Sequence, residues 1–187
     1  MESLALLEVA SLARGVVVAD AAAKRAPVEL LECGPTSPGK YLVLFAGGVA
    51  EADEALRAGA AAAGDSLLDR LWLPQAHPQL LPAIRAGSRG DPEVSRQEAA
   101  QTAGMVELVT VAAALRAADA ACKAADVRLQ LLHLARGIGG KAWFILRGDL
   151  HAVEAAVLAA TQAAGEGLVA GAEIVARPHP DLRGLAL

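Results

Sequence analysis

The chain has 187 residues and a formal net charge of −4; 55% of its residues are hydrophobic, 20% charged and only 3% aromatic. With no basic stripe it offers no field for nucleic acid or an anionic membrane. With no basic leader and no apolar run of about 18 residues it reads as neither secreted nor membrane-spanning, so a cytoplasmic location is expected.

Leu4 to Ala10 alternates weakly and predicts a strand. Leu12 to Arg25 predicts an Ala-rich helix, with Ser11 placed to cap its start and Pro27 to stop it. Residues 28–33 and 41–46 predict two strands joined by Gly34-Pro-Thr-Ser-Pro-Gly39, whose prolines and glycines set turn dihedrals. After Gly47-Gly48, Val49 to Ala63 returns to helix, Gly64 closes it, and Leu67 to Leu73 predicts a last strand. The order β-α-β-β-α-β is the ferredoxin-like one, an α+β fold with an antiparallel sheet and helices on one face.

That order occurs twice. Glu8, Asp20 and Lys24 return 99 positions later as Glu107, Asp119 and Lys123. Gly39, Lys40, Gly47 and Gly64 return as Gly140, Lys141, Gly148 and Gly165, and His77-Pro78 as His179-Pro180. In an Ala-rich chain, coinciding charges and turn glycines are informative where coinciding alanines are not, and two homologous domains follow. Polar, Gly- and Pro-broken residues from Arg85 onward support no buried face and read as a linker. The domains are therefore expected at 1–84 and 103–187, with the linker at 85–102. Small aliphatics instead of aromatics leave each small domain with surplus apolar surface, which points to extensive subunit contacts.

Two strings in the second copy, Ala118-Ala-Asp-Ala-Ala-Cys-Lys-Ala-Ala-Asp-Val127 and Ala176-Arg-Pro-His179, resemble signature stretches of the bacterial microcompartment shell domain. The first copy carries weaker versions, Ala19 to Val28 and Gln75-Ala-His77. Two such domains in unpermuted order are similar to the trimeric tandem-domain shell proteins, those of propanediol utilisation above all. The nearest local matches are Thr36-Ser-Pro-Gly-Lys40, Gly137-Ile-Gly-Gly-Lys141 and His77 to Ile84. The resemblance implies a homotrimer that forms a pseudo-hexagonal tile beside hexameric and pentameric shell proteins. It also implies a central pore for small metabolites, lined by Thr36, Ser37, Pro38, Gly39, Gly137, Ile138, Gly139 and Gly140, and tile edges carried by Lys24, Lys123, Arg177 and His179. Two homologous domains per chain close a six-membered ring at three copies.

Lys24 and Lys123 also suit a helix C-terminus, where a cation meets the dipole favourably; their recurrence and the family pattern favour the edge role. Arg177 precedes a proline, so its backbone is held extended and its guanidinium can project toward a neighbouring tile. Gln75 stands in its place in the first copy, so two kinds of edge are expected. Asp20 and Asp119 lie four residues before their lysines, the spacing of a helical ion pair. His77, His133, His151 and His179 have no ligand-spaced partner, and Cys33 and Cys122 no C-x-x-C pairing. No metal site and no catalytic residue is assigned, and the protein is expected not to be an enzyme. Two alternatives stand beside the shell reading: an electron-transfer shell protein with an iron–sulfur cluster at the trimer axis, and a ligand-sensing ferredoxin-like trimer. Ser37 falls where cluster-bearing relatives have a cysteine in a similar turn, so no cofactor is expected.

Overall fold

A computed structural model of the chain describes residues 2–87, 101–179 and 181–182. The first repeat runs β1 (Ser3–Val9), α1 (Leu12–Arg25), β2 (Glu29–Thr36), β3 (Lys40–Gly47), α2 (Val49–Ala63), a 3-10 turn (Gly64–Ser66) and β4 (Leu67–Leu73). A short helix α3 (Leu80–Ala86) follows. The second repeat runs β5 (Thr102–Leu108), α4 (Val111–Ala124), β6 (Arg128–Leu134), β7 (Ala142–Gly148), α5 (Leu150–Ala164) and β8 (Val169–Val175). Each sheet is antiparallel throughout, in the order β2-β3-β1-β4 and β6-β7-β5-β8, as the ferredoxin-like reading requires.

Both helices of the first repeat start and stop where the sequence placed them. Ser11 Oγ accepts from the Arg14 amide at 3.2 Å, and in the second repeat Thr110 Oγ1 accepts from Ala113 at 3.1 Å, so each first helix has a satisfied orphan N–H. The hairpin strands run further than expected. Gly34, Pro35 and Thr36 belong to β2, opposite Leu42, Tyr41 and Lys40, and the turn contracts to residues 37–39. A proline is tolerated there because β2 is an edge strand, whose outer amides pair with nothing in the sheet. The expected linker falls largely on residues 88–100, outside the described residues; Arg85 and Ala86 close α3 and Thr102 opens β5.

The chain divides into two compact units that do not coincide with the two sequence copies. One comprises the residues up to Ala76 together with Ala135–Gly140; the other comprises His77–Leu134 and the residues from Lys141 onward. In the first unit, Leu7 and Val9 of β1 and Val43 and Phe45 of β3 lie under Val18 and Ala22 of α1 and Ala55 and Leu56 of α2. In the second, Val106, Leu108, Phe144 and Leu146 on the sheet and Val153, Ala156 and Ala160 on α5 are buried.

One contact shows how the copies diverged while keeping their packing. A Cβ on Gly15 of α1 would fall 2.2 Å from Cγ of Tyr41, so only glycine admits this ring against the helix. The equivalent places in the second repeat hold Ala114 and Ala142, both fully buried, a pair that divides the same volume differently. Gly15→Ala should therefore destabilise the fold by about 1–3 kcal/mol through overpacking. Thermal unfolding of G15A, Y41A and the double variant checks this: the double variant should lose less than the sum of the two single losses.

Candidate pore and edge sites

The turn between β2 and β3 is closed by the Gly39 amide, which donates to the Thr36 carbonyl at 2.9 Å. Residues Ala135–Gly140, the corresponding turn of the second repeat, lie in the same compact unit. Thr36 Oγ1 donates to the Ala135 carbonyl at 2.9 Å, and the Arg136 guanidinium meets the two carboxylate oxygens of Glu32 at 2.7 and 2.6 Å. The hydrogen bond and the charge of Glu32 hold Arg136 above its already high ordinary pKa. Gly140 has φ +83°, and a Cβ there would sit 2.6 Å from the Ser37 carbonyl, so glycine is what lets the two backbones meet. The eight residues expected at a pore thus fall on two turns that touch, Thr36 at the end of the strand that enters the first. Sequence reasoning missed Glu32 and Ala135, which make the contact; neither stands out in a sequence, because one is an ordinary strand carboxylate and the other acts through its backbone.

A recurring ion pair stands at the base of each turn. Lys40 Nζ lies 3.4 Å from Glu8 and Lys141 Nζ lies 2.9 Å from Glu107, so four of the charged residues that recur between copies pair at the hairpin bases, Glu8 on β1 with Lys40 on β3 and Glu107 on β5 with Lys141 just before β7. Their settings differ: Glu8 is fully buried, whereas Glu107 and Lys141 are each about half exposed. Nearby, the exposed Cys33 thiol lies 3.5 Å from the Tyr41 hydroxyl, and this bond, with burial second, raises the phenol above its ordinary pKa. Cys122 is also unpaired, and burial, then the charge of Asp119, pushes its thiol up to about 12.

The expected edge lysines occupy the last turns of α1 and α4, and both make the ion pair their spacing suggested: Lys24 to Asp20 at 2.8 Å and Lys123 to Asp119 at 2.6 Å. Arg177 is exposed beside a buried Pro178, and the exposed His179 has Nδ1 3.4 Å from the Asp181 carboxylate. Asp119 has a second role the sequence did not disclose: it accepts the His77 amide at 2.8 Å. Two residues on, Gln79 accepts from the Leu129 amide and donates to the Val127 carbonyl, both at 2.8 Å, which ties the start of α3 to the edge of β6. Among the described residues no cluster of His, Cys, Asp or Glu is arranged to hold a metal, and no helix is long and apolar enough to cross a membrane.

The model of the BMC domain matches the chain twice, at residues 3–76 and 102–178. The chain is 38% identical over 182 residues to the bacterial microcompartment shell protein PduT of Citrobacter freundii, covering 97% of this chain and 95% of that protein. The carboxysome shell protein CsoS1A of Hydrogenovibrio crunogenus is 44% identical over 82 residues, 42% of this chain and 82% of its own. Among solved structures, a microcompartment protein from Desulfitobacterium hafniense DCB superposes with a TM-score of 0.86 at 39% identity, covering 98% of each chain.

The two ion pairs at the turn bases should respond unequally to loss of the cation. Lys40→Ala removes the cation beside the fully buried Glu8 carboxylate and should cost about 3 kcal/mol, whereas Lys141→Ala removes a half-exposed pair and should cost no more than about 1 kcal/mol. Denaturant unfolding of the two single variants measures the difference; equal losses would show that burial of Glu8 does not set the strength of its pair.

Proposed function

The chain belongs to the bacterial microcompartment shell-protein family, with a BMC domain in each repeat, and from that membership we propose that three copies close into a pseudo-hexagonal tile with a pore at its centre. The observation that carries this reading is the meeting of the two hairpin turns, Thr36 on Ala135 and Glu32 on Arg136. A threefold ring of such pairs sets six turns around one axis, Ser37 and Ile138 among the residues facing it. The polar backbone and the Ser37 hydroxyls suit passage of small polar solutes. The role is structural, not catalytic, in the microcompartment shell, where the tile joins hexameric and pentameric shell proteins. Lys24, Lys123, Arg177 and His179 carry the tile edges; each lysine is steered by an aspartate one turn before it.

Light scattering in dilute solution should report three 19.0 kDa chains, and electron microscopy of concentrated protein should show sheets. The double variant Lys24→Ala, Lys123→Ala should keep the trimer and lose the sheets, because these cations are partly exposed and contribute little to the fold. A stable monomer defeats the tile, and a double variant that unfolds assigns the lysines to helix stability.

Ser37 also bears on the electron-transfer alternative. Iron–sulfur clusters are held by thiolates, and a serine hydroxyl stays protonated near neutral pH. Cys33, the thiol nearest in sequence, lies within β2 against Tyr41, not on the turn. We therefore propose a pore without a cluster. Protein reconstituted anaerobically with iron and sulfide should stay colourless and iron-free, while Ser37→Cys should acquire a visible chromophore; stoichiometric iron in the unaltered protein would overturn the open-pore reading.

A further inference from the structure

The first repeat exposes a face that its counterpart buries. On α1, Val16 is 57% exposed where Leu115 on α4 is fully buried; on β2, Leu30 is 41% exposed where Leu129 on β6 is 5% exposed. The Asp20 side chain is 57% exposed and that of Asp119 only 8%. Part of the cover in the second unit is the segment at the start of α3. It presents the His77 amide to Asp119, the Gln79 side chain to the backbone of Val127 and Leu129, and the fully buried Leu80 behind them. Gln79 docks at a bulge in the edge strand β6, between Leu129 and Leu131, and β2 is an edge strand with a bulge at the same place, between Leu30 and Glu32.

The second repeat ends in the same docking element. His179-Pro-Asp-Leu182 follows β8 as His77-Pro-Gln-Leu80 follows β4. The described residues of both are bonded alike: the Leu80 amide donates to the His77 carbonyl at 3.0 Å and the Leu182 amide to the His179 carbonyl at 2.9 Å. The amide two residues after each histidine lies within 3.3–3.4 Å of the imidazole Nδ1. His179 and Asp181 are exposed, as are Val16, Asp20 and Leu30. One seat and one plug are thus left over in every chain. In a closed ring each first repeat follows a neighbour's second repeat, which makes a second copy of this chain the occupant that matches both.

We propose that the α1/β2 face of the first repeat is the seat for the C-terminal segment of the neighbouring copy, an inference that rests on the ring reading above. Asp20 accepts the amide of the partner's His179, the Leu30 amide donates to the partner's Asp181, and the partner's Leu182 covers the apolar face around Val16. Asp20 is then an assembly anchor as well as the partner of Lys24. The seat between chains is weaker than the one within the chain by one hydrogen bond, because a carboxylate only accepts, whereas Gln79 also donates to a carbonyl.

Cysteines placed at the contact test the seat in the full chain. In a Cys33→Ser background, with the buried and unreactive Cys122 left in place, the pair Leu30→Cys, Asp181→Cys should form intermolecular disulfides under mild oxidation, and neither single variant should. Trimers by light scattering without cross-links would overturn the seat and leave the ring reading intact; monomers at micromolar concentration would overturn the ring reading and the seat with it. Two further variants act in opposite directions. Asp20→Ala, which removes an exposed side chain, should leave the melting of the dissociated chain unchanged and raise the trimer dissociation constant about tenfold or more, and Asp181→Gln, which restores the missing donor, should lower it several-fold. A dissociation constant unmoved by either would also overturn the proposal.

Discussion

The contact between the two hairpin turns is the constraint on which the proposed pore depends. It is made of one hydroxyl bonded to one carbonyl, one guanidinium shared by two carboxylate oxygens, and one backbone approach that a side chain on Gly140 would forbid. Each part needs something from the fold. Thr36 reaches Ala135 because β2 runs through Pro35 instead of ending at Cys33, and it can do so because it is an edge strand. The turns are held from below by Lys40 on Glu8 and Lys141 on Glu107, pairs that bridge the first and third strands of each repeat just where the hairpin leaves the sheet.

Duplication gave the chain two copies of one surface, and the copies have since taken different work. Helix-to-sheet packing is preserved by exchange of volume, Gly15 with Tyr41 in one repeat and Ala114 with Ala142 in the other. Burial of the basal pair is not preserved, since water reaches Glu107 but not Glu8. The sharpest divergence is on the first helix and the edge strand after it. Leu115, Asp119 and Leu129 are buried, while Val16, Asp20 and Leu30 face solvent, although Asp and the second Leu are identical in both copies. Within one chain that face is covered only in the second repeat.

Much of this was legible in the sequence, and the physical reason is local. Helix ends are written in caps and prolines, so Ser11 and Pro27 bounded α1, and glycine at position 64 closed α2. Recurring charges marked Glu8, Lys40 and their counterparts as important, but their partnership is a cross-strand relation between residues 32 and 34 apart, and spacing along the chain does not encode it. Helix α3 was hidden because a proline inside a short segment masks helical periodicity, and the bonds that hold it run to the backbone of β6. Asp20 and Asp119 were explained by their lysines at the spacing of four, and that sufficient local explanation concealed the second acceptor role at the His77 amide.

If the proposed seat forms, the two roles of that aspartate connect ring closure to lattice growth. In the second repeat Asp119 is buried and accepts the His77 amide, and its lysine lies 2.6 Å away with about half its side chain exposed. In the first repeat the same pair stands open, at 2.8 Å and with Lys24 three-quarters exposed. A carboxylate that gains a backbone donor and loses water interacts more strongly with a neighbouring cation, because the local dielectric falls. On the proposed geometry, seating of the neighbour's C-terminal segment on Asp20 would bring the Lys24 pair toward the state that Lys123 already has. The ammonium that meets the next tile is then held in one place only after the ring has closed. Edge contacts between unclosed chains lose that advantage, since an exposed lysine must give up its rotamer freedom to make them. On the proposed contacts, assembly in this order, trimer first and sheet second, would follow from one carboxylate shared between an interface amide and an edge lysine.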